Sequence, residues 1–325
     1  MNPVTAMVVH EALPGLETEL PSAGLARLPT PIDEVRVDGR VLWIKRDDLS
    51  DPRYGGNKVR KLDLILAAAM RDGCRRIVTF GATGTHHGLA TALFCQALGL
   101  NCEVLLFDQP DTPHVRDNLR RLGEAGARRV HCGSLSMTLL RYALHPGRLR
   151  RDTRFVFAGG SDPLGTLAFV NAALELAAQV RAGECPAPSR IYCALGSGST
   201  LAGLTLGVAL AGLPSEVIGV RVADARLGPF DACSERTVAA LMARTLRWLA
   251  QRGIDWPAGL PTPRIDHGWI GAGYGHVTES GLQATAVLAD AAGLALDATY
   301  TAKAAAAALA DRRAGPVLYW HTLGH

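Results

Sequence analysis

Two stretches of the chain combine residue types and spacing that fit chemistry. Gly55-Gly56-Asn57-Lys58-Val59-Arg60-Lys61 sets a lysine just behind two glycines and an asparagine, where a helix is expected to begin. A helix N-terminus disfavours positive charge. A lysine held there in a pocket has a lowered pKa, which is what an amine nucleophile requires. A shift of about three units corresponds to about 4 kcal/mol. The plain alternative is that Lys58, Arg60 and Lys61 are solvent-facing charges. Far downstream, Gly196-Ser197-Gly198-Ser199-Thr200 follows an apolar run and opens another helical pattern. Glycines let backbone N–H groups approach an anion, the helix dipole attracts it, and three hydroxyls add donors. The alternative here is a glycine turn whose serines merely cap a helix.

A reactive lysine and a phosphate cradle on separate turns together suggest pyridoxal phosphate. That cofactor needs a Schiff-base lysine, a phosphate nest and a partner for its pyridine nitrogen. Other nucleotide readings fit less well. Glycines 196, 198 and 203 miss the G-x-G-x-x-G pattern because Leu201 stands where its third glycine belongs, although an acid, Asp224, follows the next strand. No GxxxxGK[ST] run is present in the sequence.

These residues need elements to position them. The pattern predicts strands at 41–45, 77–80, 102–107, 129–131, 154–157, 190–195, 216–222 and 317–320. It predicts helices at 57–71, 87–98, 115–126, 164–181, 200–210, 238–251, 280–292 and 302–310. Such alternation implies mostly parallel sheets covered by helices on both faces. Residues 1–30 show no strong periodicity and are expected to wrap the surface. A length of 325 residues suggests about two domains. Ligands in open α/β sheets bind beyond the strand carboxyl ends. Of 35 glycines, those at 55–56, 81–88, 159–160, 196–203 and 271–275 are expected in turns facing one cleft.

Composition narrows the function classes. The 34 basic and 30 acidic residues leave a net charge of +4, too balanced for a dedicated nucleic-acid binder. The basic cluster of Arg148, Arg150, Arg151 and Arg154 reads as a solvated face or loop. Seven cysteines without a CxxC pair read as thiols in a reducing compartment, with no disulfide framework or zinc site. No signal peptide is visible, and the apolar run from Leu201 to Leu213 is too short to span a bilayer. The expectation is a cytoplasmic enzyme with no nucleic-acid or membrane partner and no metal.

The segment Lys45-Arg46-Asp47-Asp48, followed by Gly55-Gly56-Asn57-Lys58-Val59-Arg60-Lys61-Leu62, resembles the lysine motif of the D-cysteine desulfhydrase and aminocyclopropane-carboxylate deaminase family. These are pyridoxal-phosphate enzymes of the tryptophan-synthase-β type, fold type II. Matching stretches include Gly159-Gly160-Ser161, the Gly196–Gly203 loop, Gly273-Tyr274-Gly275, Leu296-Asp297-Ala298-Thr299-Tyr300-Thr301-Ala302-Lys303 and His321-Thr322. The resemblance runs from about Leu28 to Thr322. It implies a two-domain α/β fold, with 1–48 and 160–325 forming the larger cofactor-binding domain and 49–159 the smaller one. It implies a homodimer acting on a small amino acid.

The resemblance also implies roles. Lys58 forms the Schiff base and acts as the base at Cα, with Asn57 beside it in the cofactor site. Gly196, Ser197, Gly198, Ser199 and Thr200 hold the phosphate, helped by Lys61. Tyr274 and Tyr300 line the substrate side. Thr322 bonds the pyridine nitrogen, and a neutral hydroxyl there leaves the ring a weak electron sink, suited to elimination. Where deaminases of the cyclopropane substrate carry a glutamate, this chain has Thr301. A family Ser-Asn-(His or Gln) run, which contacts the substrate carboxylate and the ring oxygen, is here Thr85-His86-His87. Threonine keeps the hydroxyl. His86 replaces an amide with a group that titrates near neutral pH. His86 and His87 are read either as neutral imidazoles beneath the cofactor or as an extra acid or base for a different substrate. Adjacent residues in one turn rarely converge on a metal. The chain ends at Thr322-Leu323-Gly324-His325, and the spacing of His321 and His325 is read as incidental. Asp48 and Asp297 are acidic candidates that the resemblance assigns to structural turns. The expected activity is a β-eliminating lyase. Replacement, epimerisation, cyclisation, or a non-catalytic binding relic of the fold are the alternatives.

Overall fold

The computed structural model describes residues 7–227 and 230–323. Elements are numbered in chain order. The larger sheet runs β1 (Ile32–Val37), β2 (Arg40–Arg46), β12 (Val317–His321), β7 (Arg190–Leu195), β8 (Glu216–Arg221), β11 (Arg264–Asp266). The smaller runs β5 (Arg128–Gly133), β4 (Asn101–Phe107), β3 (Arg76–Ala82), β6 (Thr153–Phe155). Strands β9 (Arg226–Leu227) and β10 (Phe230–Asp231) form a short separate pair. The helices are α1 (Val8–Ala12), α2 (Asn57–Arg71), α3 (His86–Ala97), α4 (Pro113–Glu124), α5 (Leu135–Ala143), α6 (Pro163–Arg181), α7 (Ser199–Ala211), α8 (Glu235–Ala250), α9 (Glu279–Ala292) and α10 (Thr301–Ala310).

Within the two main sheets every pairing is parallel except β1 with β2. That hairpin turns on Asp38 and Gly39, whose φ angles are 50° and 73°. Both are positive, as a two-residue hairpin turn requires, and Asp-Gly is the sequence that supplies them. The turn adds a strand, β1, that the alternation did not reveal. The smaller sheet draws all its strands from residues 76–155, whereas the larger takes strands from either side of that stretch.

The N-terminal segment departs from its expectation. Instead of wrapping the surface it buries Val9, Leu13, Leu16 and Leu20, each 1% exposed or less. These positions recur at helical spacing, but Pro14 and Gly15 interrupt the helix after Ala12, so the pattern shows no continuous element. The Val9 N–H donates to Asn171 Oδ1 at 3.0 Å and fastens the segment to α6. Helix α6 also exceeds the apolar length the sequence suggested. Its 19 residues suffice in length and composition to cross a membrane, yet 83% of that stretch lies buried inside the protein against α2, α7 and α8. Some of the glycines serve this interior. A Cβ on Gly203 in α7 would lie 2.3 Å from the Thr166 carbonyl oxygen of α6, so this glycine belongs to a helix contact and not to the cleft.

A buried lattice of charge joins these layers. Arg60 of α2 donates to both Asp47 carboxylate oxygens at 3.0 Å and to Glu175 of α6 at 2.9 Å. Lys45 of β2 donates to the same Glu175 at 2.6 Å and to the Thr30 carbonyl at 2.7 Å. All four charged side chains are at most 6% exposed. Arg60 and Lys61 are therefore not the solvent-facing charges the spacing allowed. Burial pushes the Glu175 carboxyl up, but Arg60 and Lys45 outweigh it and hold the group at about 2. Removing one partner of such a cluster leaves uncompensated charge in the interior. Glu175→Ala is expected to cost about 3–5 kcal/mol in urea unfolding, against under about 1 kcal/mol for breaking the exposed Arg36–Glu34 pair. Because the folded-state value is depressed, the Glu175 contribution is complete above its ordinary value of 4.5. It is lost as pH falls through about 2.

Candidate active site

The carboxyl ends of β3, β6 and β7, the turn before α2 and the residues after β12 converge. Gly56 opens α2 with φ 112°, and the next N–H, of Asn57, donates to the Thr322 carbonyl at 2.8 Å. Asn57 Nδ2 donates to Thr200 Oγ1 at 3.1 Å, while its Oδ1 accepts from Lys58 Nζ at 2.8 Å. One asparagine thus ties the lysine turn to the serine-rich turn. Burial lowers the Lys58 ammonium to about 8, partly offset by the nearby Asp297 carboxylate.

The serine-rich turn has the conformation that anion cradles use. Gly198 takes φ 96°, a left-handed value, and Ser199 and Thr200 begin α7 almost wholly buried. The turn after β6 presses on it: a Cβ on Gly159 would lie 2.0 Å from Ser197 Oγ. Ser161 Oγ donates to the Ser197 carbonyl at 2.7 Å. Lys61, 1% exposed, reaches the Gly159 carbonyl at 3.3 Å and lies 5.4 Å over the Phe169 ring. Burial, with Lys58 nearby, pushes its pKa well down. No ion pair holds Lys61 among the described residues. A buried lysine beside a helix N-terminus calls for an anion, so the residues present fit the phosphate of pyridoxal phosphate, and Lys58 fits its aldehyde.

The tyrosines and histidines complete the cleft. Tyr274 and Tyr300 share a hydroxyl hydrogen bond of 2.5 Å, and the Tyr300 ring stands 3.3 Å from where a Cβ on Gly196 would lie. Burial and Tyr274 raise the Tyr300 pKa well above 10, so it keeps its proton. Thr85 caps α3, its Oγ1 accepting from the Gly88 N–H at 3.1 Å. His86 and His87 part company. The His87 ring turns into the interior, 5% exposed, with Nε2 at 2.9 Å from Thr79 Oγ1. Burial, with Lys58 and Lys61 close, lowers it to about 3, so it is neutral. It underlies the site and does not form its wall. His86 instead meets Tyr54 through Nδ1 at 2.7 Å and His114 through Nε2 at 3.1 Å. Its Nε2 lies 3.6 Å from Asp297 Oδ2.

Tyr54 and His114 are thus brought to the site without having been singled out as site residues, and Asp297, an acidic candidate assigned to a structural turn, joins them. A signal for His114 existed: β3 and β4 are parallel neighbours, so the first turns of α3 and α4 must rise side by side. Asp297 also keeps its turn role, accepting the Tyr300 N–H at 2.6 Å. His86, His114 and Asp297 each place a potential ligand atom within 4.8 Å of the others. Asn118 Nδ2 also lies 3.2 Å from His114 Nε2. Asp48 is taken up by Arg46. Thr322 is 4% exposed, and Gly324 and His325 lie outside the described residues.

A family model described as pyridoxal-phosphate dependent enzyme matches residues 24–318, and the chain belongs to that family. It is 33% identical over 324 residues to the nocardicin C-9' epimerase of Nocardia uniformis subsp. tsuyamanensis, covering 93% of this chain and 92% of that protein. It is 31% identical over 327 residues to the D-cysteine desulfhydrase of Salmonella choleraesuis (strain SC-B67), covering 94% and 95%. A crystal structure of an ACC deaminase homologue superposes with a TM-score of 0.80 at 26% identity, over 98% of this chain and 95% of that one. A threonine deaminase from T.th. shares the fold, with a TM-score of 0.63 at 20% identity over 91% and 92%. The two mostly parallel sheets are therefore the type II fold of pyridoxal-phosphate enzymes, as the motifs implied. The cofactor is pyridoxal phosphate.

With Lys58 as the expected point of attachment, its lowered pKa would set the pH at which the cofactor attaches. In cofactor-free protein, borohydride trapping of pyridoxal phosphate on the Lys58 peptide should rise with pH around a midpoint near 8, not near the ordinary 10.5. Below that midpoint the amine is protonated and cannot attack. Peptide mapping across a pH series reads the midpoint directly.

Proposed function

We propose that this pyridoxal-phosphate enzyme removes the Cα proton of a small amino acid and expels its β-substituent, with D-cysteine the first candidate substrate. Bound pyridoxal phosphate supplies the electron sink that makes the Cα–H bond acidic. The observation that carries the reading is Lys58: an amine lowered to about 8, held by Asn57 Oδ1 and flanked by the cradle. A base with a pKa near the working pH is well matched to abstracting a proton.

The surrounding groups divide the remaining tasks. Lys61 and the α7 N-terminus bind phosphate. The Thr85 hydroxyl accepts from Gly88 and keeps its own proton to donate to a substrate carboxylate at the start of α3. The Tyr274–Tyr300 pair, kept protonated, offers a donor to a departing thiolate. Thr301, fully buried, is engaged with Asp297, its Oγ1 accepting that residue's N–H at 2.6 Å. It therefore offers the cleft no acid of the kind expected for cyclopropane opening. The products are a keto acid, ammonia and sulfide. The proposal carries with it a cytoplasmic homodimer.

A second reading, inversion at Cα, is supported by His86, a proton-transferring group where an amide was expected, and by the similarity to an epimerase. An absorbance screen against both enantiomers of cysteine separates the two. D-cysteine should perturb the cofactor band and release pyruvate and sulfide, and Lys58→Ala should lower that turnover by about a thousandfold or more. If D-cysteine neither shifts the band nor yields pyruvate, the elimination reading fails.

A further inference from the structure

The segment between β11 and α9 carries Tyr274 on a turn rich in glycine. Gly271, Gly273 and Gly275 take φ angles of 67°, 139° and 79°, values that glycine reaches without strain. The segment is anchored near both ends. Trp269 Nε1 donates to Asp266 Oδ2 at 2.9 Å, and Thr278 caps α9 by accepting the Gly281 N–H at 3.1 Å. Between those ends, among the described residues, the backbone makes one hydrogen bond with itself, from the His276 N–H to the Gly273 carbonyl at 3.4 Å. Residues 271, 272 and 274–277 are exposed. Such a segment has little of its own that holds a single shape.

Lys303 supplies a hold from outside. It stands in the first turn of α10 and is wholly buried. Its Nζ donates to the Ile270 carbonyl at 2.7 Å and to the Gly273 carbonyl at 3.3 Å. Burial lowers its pKa, partly offset by Asp297 and Asp224, and no ion pair holds it among the described residues. Both burial and the dipole of α10 disfavour an ammonium in this place. The two carbonyls it meets bracket the turn that leads into Tyr274. The start of α10 meets the segment a second time through Tyr300, the residue before the helix. Its hydroxyl shares the 2.5 Å bond with Tyr274, and the two rings cross at 75° with centroids 5.9 Å apart.

We infer that Lys303 is a positioning residue: it holds the 270–273 backbone against α10 so that the Tyr274 hydroxyl stays on Tyr300 at the cleft. The inference rests on the proposed role of that tyrosine pair as proton donor to the departing sulfur. When the Cβ–S bond breaks, its electron pair leaves on sulfur and a tyrosine hydroxyl supplies the proton. Without the ammonium the glycines let the turn swing, and the Tyr274 hydroxyl loses its place. Lys303 acts through the turn and is not itself a catalytic residue.

The test compares two substrates in holoenzyme, D-cysteine and β-chloro-D-alanine. Chloride leaves without a proton, so the pair of substrates reports the donor separately from the chemistry at Cα. Lys303→Met keeps the length of the buried stem and removes the ammonium. It should lower kcat for D-cysteine by about tenfold, with kcat for β-chloro-D-alanine within about twofold of wild type and the cofactor absorbance unchanged. Adding Lys303→Met to Tyr274→Phe should slow D-cysteine no further than Tyr274→Phe does alone, because both changes remove the same donor. Hydrogen–deuterium exchange at the 270–276 amides should be about tenfold faster in Lys303→Met, with α10 at the wild-type rate. In Tyr274→Phe, which keeps Lys303, exchange at those amides should stay slow, and this arm decides the matter if Lys303→Met does not fold. An unchanged rate on D-cysteine, equal losses on both substrates, additive losses in the double variant, or unchanged exchange in Lys303→Met overturns the inference. Fast exchange in Tyr274→Phe overturns it as well. If wild type turns over neither substrate, the elimination reading fails, and exchange at 270–276 then decides by itself whether Lys303 holds the turn.

Discussion

The Arg60–Asp47–Glu175–Lys45 lattice is the constraint on which the cleft depends. Arg60 lies two positions beyond Lys58 on α2, and its guanidinium is held by carboxylates from the turn after β2 and from α6. With five donors in a rigid fork, it fixes both the rotation and the axial position of α2. A hydrophobic substitute would fill the volume without fixing that register. The desolvation cost of burying four charges is therefore set against placement of the Lys58 turn. Lys45 carries the constraint into β2, which pairs in parallel with β12. That pairing in turn positions Thr322, whose carbonyl receives the Asn57 N–H.

Topology then decides which turns can meet. In a parallel sheet all strand carboxyl ends lie on one edge, so the turns after β3 and β6 share an edge of the smaller sheet, and the turn after β7 of the larger sheet meets them where Gly159 packs on Ser197. Small residues let these turns touch: Gly159 admits Ser197, and Gly196 admits the Tyr300 ring. The high glycine content serves two purposes as a result. Part of it lets turns approach around the cleft, and part of it, as at Gly203, lets α7 sit on α6.

Legibility in the sequence followed range. Lys58 and Gly196–Thr200 were readable because strand, turn and helix N-terminus are local, and glycine marks the turn. The alternation of strands and helices was readable for the same reason. Tyr54 and His114 were not, because their contacts with His86 arise only when the turn before α2 and the first turns of α3 and α4 are brought together, and Asp297 was legible only as an acid in a turn. Nothing within a few residues of His114 refers to His86. The burial of Val9, Leu13, Leu16 and Leu20 was hidden by Pro14 and Gly15, which break the helix while leaving the apolar spacing intact. His86 and His87 show the limit most directly. They are adjacent and chemically identical, yet the start of α3 turns one ring toward Tyr54 and His114 and the other toward Thr79. No spacing argument separates two neighbours in a turn whose direction is set by tertiary contacts.

Under the proposed function, the replacement of an amide by His86 would bear on what happens after the Cα proton leaves. An amide can orient a neighbour but cannot carry a proton. An imidazole can do both, and its effect depends on the competition between return and departure. If Lys58 keeps its proton, the nearest fate of the carbon is to take it back. If another group removes that proton, Lys58 becomes neutral again and return is suppressed. A β-substituent then has longer to leave, and a carbon without one must be reprotonated from elsewhere. Under that reading, prompt removal of the proton would favour elimination when a leaving group is present and exchange or inversion when it is absent. Which outcome dominates would then be set by the substrate's β-substituent against a fixed set of protein groups. Close relatives named for elimination and for epimerisation are then compatible with one architecture.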